Sequence, residues 1–190
     1  NIVEPATADM GGVATLEPMN DLFFFAFDAR LEGYAKRAGT KIGPDTLEPI
    51  ILSLYEYAKT ITPARFMAAW SEANVARRKL GAFYTKHDIW LSPTTSRVSE
   101  PWGNYNLSKP GVTTNAEELF KVPCQFTIPH NIMGTPAMSL PLVMHSSGLP
   151  IGVQLAGRPA DEHLLIQLAA ALEQAMPWAG RVPPLHISKL

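Results

Sequence analysis

The stretch from Pro129 to Gly157, PHNIMGTPAMSLPLVMHSSGLPIGVQLAG, constrains the fold of this chain more than any other. Two apolar runs, Ala137 to Met144 and Pro150 to Ala156, are separated only by His145, Ser146, Ser147, Gly148 and Leu149. Runs of that length bounded by turn residues read as two strands of a hairpin. Both runs are nearly continuous in apolar residues instead of alternating, which predicts a sheet covered by helices on both faces, as in α/β proteins. Upstream, Pro129 and Pro136 flank Gly134 and Thr135, so a shaped loop should lead into the hairpin, and such loops are where pockets are often built. Downstream, Asp161 can cap a helix whose apolar stripe is Leu164, Leu165, Leu168, Ala169, Leu172 and Ala175. Pro177 stops that helix and opens a Pro-rich tail to Leu190.

The order PxNxxGxPAxSLPL, then GLPIGVQLAG, then DEHLLIQLAAALEQ resembles the C-terminal part of the amidase signature family, serine hydrolases with a Ser-cisSer-Lys triad. The ending Pro177-Trp178-Ala179-Gly180-Arg181-Val182-Pro183-Pro184 is similar to the branch of 6-aminohexanoate cyclic-dimer hydrolases and aryl-acylamidase-like enzymes. A second resemblance lies in Asp88 to Thr94, which matches the family's D-x-x-L-x-P-T strand. The resemblance implies an α/β fold with a mixed β-sheet and helices on both faces. It makes residues 1–190 the C-terminal segment of a single domain.

Composition narrows the classes. Only 17% of residues are charged, against about 25% in ordinary globular chains, so part of the surface is expected to be covered by something else. A net charge of -1 gives no basic footprint for nucleic acid. One cysteine, Cys124, excludes an internal disulfide and a Cys-rich metal site, which fits a reducing, cytoplasmic setting. No run of about 18 apolar residues predicts a membrane span. No His pair at helical spacing, HExxH, G-x-S-x-G or G-x-G-x-x-G occurs, so neither a metal nor a nucleotide cofactor is indicated.

Along the chain, Asn1 to Asn20 reads as a loop with a strand remnant at Ile2-Val3. A helix is predicted from Asp21 to Ala38, with Phe23, Phe24, Phe27, Leu31 and Tyr34 on its apolar side, packing on a sheet or lining an apolar tunnel. A second runs from Thr46 to Lys59. A third is capped by Thr62 with Pro63 at its first position and reaches His87, its buried stripe being Phe66, Trp70, Ala73, Leu80 and Tyr84. Arg77, Arg78 and Lys79 read as a solvated face. Asp88 to Ser92 is a short strand, and Ser96 to Lys121 a long loop in which Trp102 and Tyr105 either close over a ligand or anchor the loop.

Amide hydrolysis needs a nucleophile, a base and oxyanion donors. In the family these lie in the N-terminal part, so no catalytic residue is assigned here. Ser146-Ser147-Gly148 reads as the hairpin turn, and Lys109, Lys121 and Lys189 lack apolar surroundings that would depress a lysine pKa. By resemblance, Thr94, Thr95 and Trp102 face the substrate, with ordinary turn chemistry as the alternative. Cys124 stands seven residues before Asn131, where the glutaminase subunits of tRNA-dependent amidotransferases resemble it with an aspartate that reads the substrate's amino group. A neutral Cys124 favours a less polar amide, with a small buried filler as the alternative. Asn131 and Gln154 read as structural amides, the partner of Gln154 being expected in the N-terminal part.

The implied partners are a small-molecule amide substrate and the N-terminal part of the same enzyme, with homo-oligomerisation open. The rival readings are a non-catalytic scaffold domain and an amidotransferase glutaminase subunit. The segment alone is expected to be inactive, and poorly soluble through an unpaired sheet edge.

Overall fold

In the computed structural model, which describes residues 2–6, 8, 16–104, 124–183 and 185–187, the predicted hairpin is present as β2 (Ala137–Met144) and β3 (Pro150–Ala156). Its turn is closed by the His145 amide on the Leu149 carbonyl at 2.8 Å, and Gly148 takes the left-handed conformation at φ 82°. A third strand, β1 (Trp90–Pro93), pairs with the other side of β3, giving the order β1-β3-β2, antiparallel at both joints. Residue 93 is a proline without an N–H, which an edge strand tolerates.

The register assigns the faces. Leu91, Leu155 and Met138 lie in one row across the sheet, then Pro93, Val153 and Leu140 in the next. Against this apolar face packs α6 (Glu162–Ala175) through Leu165, Leu168, Ala169 and Leu172, with Trp178 of the tail beside them. Asp161 stands at its N-cap, but its carboxylate accepts from Arg158 Nε at 3.1 Å in place of the helix amides. On the opposite face, Trp90 meets a second cluster of Met19, Ala73, Ala76, Leu80, Tyr84, Ile132 and Met133. These come from α1 (Leu16–Phe24), α4 (Pro63–Phe83) and α5 (Ile128–Met133), so helices cover the sheet from both sides.

The helical half departs from the sequence reading in instructive ways. The single helix predicted over Asp21 to Ala38 is two, α1 and α2 (Phe27–Ala38), and the start at Leu16 lies in the segment read as loop. Ala26 breaks them at φ 59°. Consecutive phenylalanines cannot all share one helix face; the break lets Phe25 stack on Phe66 at 4.3 Å while Phe24 meets Phe27 and Tyr57 edge-on. Ile2 and Val3 form no strand. The next helix, α3 (Pro49–Lys59), starts later than Thr46 because Glu48, preceding a proline, is held extended. Thr46 instead donates to the Lys41 carbonyl at 2.6 Å. Thr62 caps α4 as predicted, accepting from the Arg65 amide at 3.2 Å, but the helix ends at Phe83, before His87.

Asp21 is buried where α1, α3 and α4 meet. Its carboxylate accepts from Arg65 Nε at 3.0 Å, Arg65 Nη2 at 2.7 Å and the Tyr57 hydroxyl at 2.7 Å. Arg77, read as part of a solvated face, donates to the Ile132 carbonyl and lies over the Trp70 ring at 4.4 Å, tying α5 to α4. Trp70, read as buried, is 41% exposed. At the outer edge of β2 a bulge between Leu140 and Val143 frees backbone carbonyls, and Arg181 covers them, donating to Pro141 O at 2.8 Å. The edge expected to be unpaired is thus partly covered from within the chain.

Candidate functional site

The apolar runs of the hairpin conceal a polar row. Ser92, Gln154 and Ser139 face one another across the three strands, on the same face as Trp90, Ala156 and Ala137. One step further toward the hairpin turn lie Thr94, whose amide donates to the Gly152 carbonyl at 2.9 Å, and Gly152 itself. The Thr94 and Ser139 hydroxyls meet at 2.6 Å across Gly152. One of the two protons makes that bond, so the pair still offers one donor and free lone pairs on the sheet surface. The face is therefore apolar under α4 and α5 at one end and polar at the Thr94 end.

Gly152 makes the hydroxyl pair possible. A Cβ there would stand 2.7 Å from both Thr94 Oγ1 and Ser139 Oγ. Gly152→Ala is expected to separate the two hydroxyls and cost about 1–3 kcal/mol, read by urea denaturation. Adding Ser139→Ala removes one of the two clashing oxygens and should recover part of the loss. Unchanged stability in the single variant would show that the strands yield freely.

Gln154, only 3% exposed, carries the row into the interior. Its Nε2 donates to Ser92 Oγ at 3.1 Å and to the Phe126 carbonyl at 2.7 Å, so its partners lie in this chain, contrary to the expectation that they lie in the N-terminal part. Phe126 belongs to the turn Cys124 to Thr127, whose start is fixed by the Cys124 carbonyl accepting from the Thr127 and Ile128 amides at 3.0 Å each. That turn leads into α5. Gly134, at φ 67°, ends α5, so the approach to the hairpin is a short helix followed by the expected shaped loop at Gly134, Thr135 and Pro136. Asn131 sits exposed on α5. His130, missed in the sequence, is buried, with Nδ1 at 2.8 Å from Thr135 Oγ1 and its ring edge-on to Trp90 at 5.3 Å. Burial lowers its pKa from the ordinary histidine range, favouring the neutral ring.

The four residues singled out from the sequence are placed unequally. Thr94 is half-buried on the polar face. Thr95 is exposed and donates to the Arg97 carbonyl of its own loop at 2.7 Å. Cys124 is half-buried, its turn tied to β1 through Gln154. Trp102 stands wholly exposed in a turn. Tyr105, Lys109, Lys121 and Lys189 lie outside the described residues. A separate cleft of about 380 Å³, lined by Arg77, Leu80, Tyr84, Met133, Thr135 and Arg158 among others, touches none of the four. In the hairpin turn, Ser147 Oγ lies 2.7 Å from His145 Nδ1, but the Ser147 amide also donates to that nitrogen and the group is exposed, so the contact closes a turn. Among the described residues no group of three His, Cys, Asp or Glu side chains could hold a metal ion, and no helix is long and apolar enough to cross a membrane.

The Amidase family model matches residues 20–166, from α1 through the polar row and into α6. The chain belongs to the amidase family. Among its relatives, the 6-aminohexanoate-cyclic-dimer hydrolase of Paenarthrobacter ureafaciens is 29% identical over 181 residues, 93% of this chain and 37% of that protein. A glutamyl-tRNA(Gln) amidotransferase subunit from Moorella thermoacetica is 32% identical over 158 residues, 83% of this chain and 31% of that protein. The solved structure of a 6-aminohexanoate cyclic dimer hydrolase superposes with a TM-score of 0.84 at 28% identity, covering 95% of this chain and 39% of that one. The α/β amidase fold, helices on both faces of the sheet, is thus common to both. The chain spans between about 30% and 40% of the length of these relatives.

Proposed function

We propose that this amidase-family chain is the C-terminal segment of an enzyme that hydrolyses a C–N amide bond through a Ser-cisSer-Lys acyl-enzyme, the triad lying N-terminal to these residues. The observation that carries the reading is the similarity of nearly the whole chain to just over a third of a cyclic-amide hydrolase. In this reading the present residues supply a wall of the pocket, and the nucleophile and its base belong to the N-terminal part. In this reading the polar face of the sheet, with Thr94, and the Cys124 turn form one side of the acyl pocket, while Thr95 and Trp102 stand at its rim. A neutral, half-buried Cys124, in a turn that Gln154 ties to β1, suits a neutral amide, linear or cyclic, better than one carrying a charged amino group.

The test uses the polypeptide made from the complete coding sequence, assayed on a neutral anilide or cyclic amide and on an α-amino amide. Cys124→Asp is expected to lower kcat/KM for the neutral amide by about tenfold or more, while narrowing the gap to the amino-bearing one. An unchanged preference would remove Cys124 from the pocket. Turnover by residues 1–190 alone, abolished by substitution of Ser146 or Ser147, would overturn the assignment of the triad.

A further inference from the structure

We infer that Gln154 is a positioning residue, whose single side-chain amide sets the separation between the Cys124 turn and the strand that delivers Thr94. The inference rests on the pocket reading above for its consequence, but its geometry stands independently. Gln154 lies on the central strand, which is hydrogen-bonded to a strand on each side. From there Nε2 reaches Ser92, two residues before Thr94, and Phe126, two residues after Cys124. One NH2 group therefore holds both walls at once. The residue is 3% exposed, so any movement of either wall that breaks these bonds leaves a buried donor unsatisfied. The amide is also neutral. A carboxylate at the same place would offer no proton to the Phe126 carbonyl, and would set negative charge beneath the Cys124 turn.

What this geometry controls is the width of the polar wall, and with it the size of neutral amide that fits against Thr94 and Cys124. Ser92 contributes one of the two bonds, the longer; Phe126 contributes the shorter. Removing the Ser92 hydroxyl should leave the turn in place, whereas removing the amide protons should release it.

Cys124 is the only thiol of the chain, so its alkylation reads the turn directly. Iodoacetamide labelling of the protein, followed on the peptide that carries Cys124, is expected to accelerate roughly tenfold in Gln154→Glu as the turn opens locally. Ser92→Ala is expected to stay within about twofold of the parent. Should Gln154→Glu fail to fold by circular dichroism, Gln154→Asn keeps the amide but shortens its reach to Phe126, and the same acceleration is expected. In the enzyme from the complete coding sequence, the Gln154 variants should raise KM for the neutral amide with a smaller change in kcat. Parent-like labelling in folded Gln154 variants, or an equal acceleration in Ser92→Ala, would overturn the positioning role. Accelerated labelling together with substrate preferences indifferent to Cys124→Asp would instead preserve that role and defeat the pocket reading.

Discussion

Arg65→Met is expected to cost about 3–5 kcal/mol of folding stability, among the largest losses of any single substitution in the helical half. The reason is the asymmetry of the Asp21 site. The Asp21 side chain is 6% exposed and that of Arg65 36%, so the carboxylate depends on its partners while the guanidinium can reach water. Methionine keeps much of the length of the arginine stem but removes both donors, leaving a buried carboxylate with only the Tyr57 hydroxyl. That hydroxyl is already committed: burial first, and then its hydrogen bond to Asp21, push the Tyr57 pKa up to about 12. Asp21→Asn should cost less, because the Arg65 side chain, 36% exposed, can still reach water and the new amide still accepts from Tyr57. Chemical denaturation of both variants decides the matter. A loss in Arg65→Met within about 1 kcal/mol of zero would mean the pair behaves as an ordinary surface ion pair.

Leu80→Ala is expected to cost about 2–5 kcal/mol. Leu80 is 2% exposed and packs with Ala73, Ala76, Tyr84, Ile132 and Met133, where the two alanines have no length with which to fill the space left behind. Its other side lines the cleft of about 380 Å³, so the new void is continuous with space that water can enter. That places the loss in the lower half of the range. It also brings water to the Tyr84 hydroxyl, which is buried without a partner among the described residues and whose pKa burial alone pushes up to about 12. The variant's Tyr84 should therefore titrate closer to the usual tyrosine range in an ultraviolet titration. A melting curve indistinguishable from the parent's would show that α4 is not seated on this cluster.

Apolar runs and punctuation make the sheet legible in the sequence alone. The hairpin and its turn follow from two runs, one glycine and two serines, and the structure has the same strand bounds. The helical breaks were less legible because their causes are tertiary: Ala26 has no turn-forming chemistry of its own and is forced over by the competing destinations of Phe24 and Phe25. A local signal existed for α3, since Pro49 dictates an extended Glu48. Of the three residues of the polar row, only Gln154 stands out in the sequence, as a structural amide. Ser139 and Gln154 are single polar residues within apolar runs, and only the register shows that they share a face with Ser92. His130 could have been noticed as a histidine in an apolar setting, but its burial depends on Trp90, 40 residues earlier. The candidate residues themselves came from resemblance, and the fold adds the Gln154 bridge that relates two of them.

The Arg181 clasp has a consequence for the order in which the molecule is assembled. During synthesis the hairpin and the whole of α6 emerge before residue 181 does, and for that interval the carbonyls of Pro141 and Leu142 have no guanidinium to meet. Domains fold as they are made, N-terminal portions first. The β2 bulge is thus completed only after the hairpin and α6 have been made, and the tail that completes it acts as a latch that closes behind them.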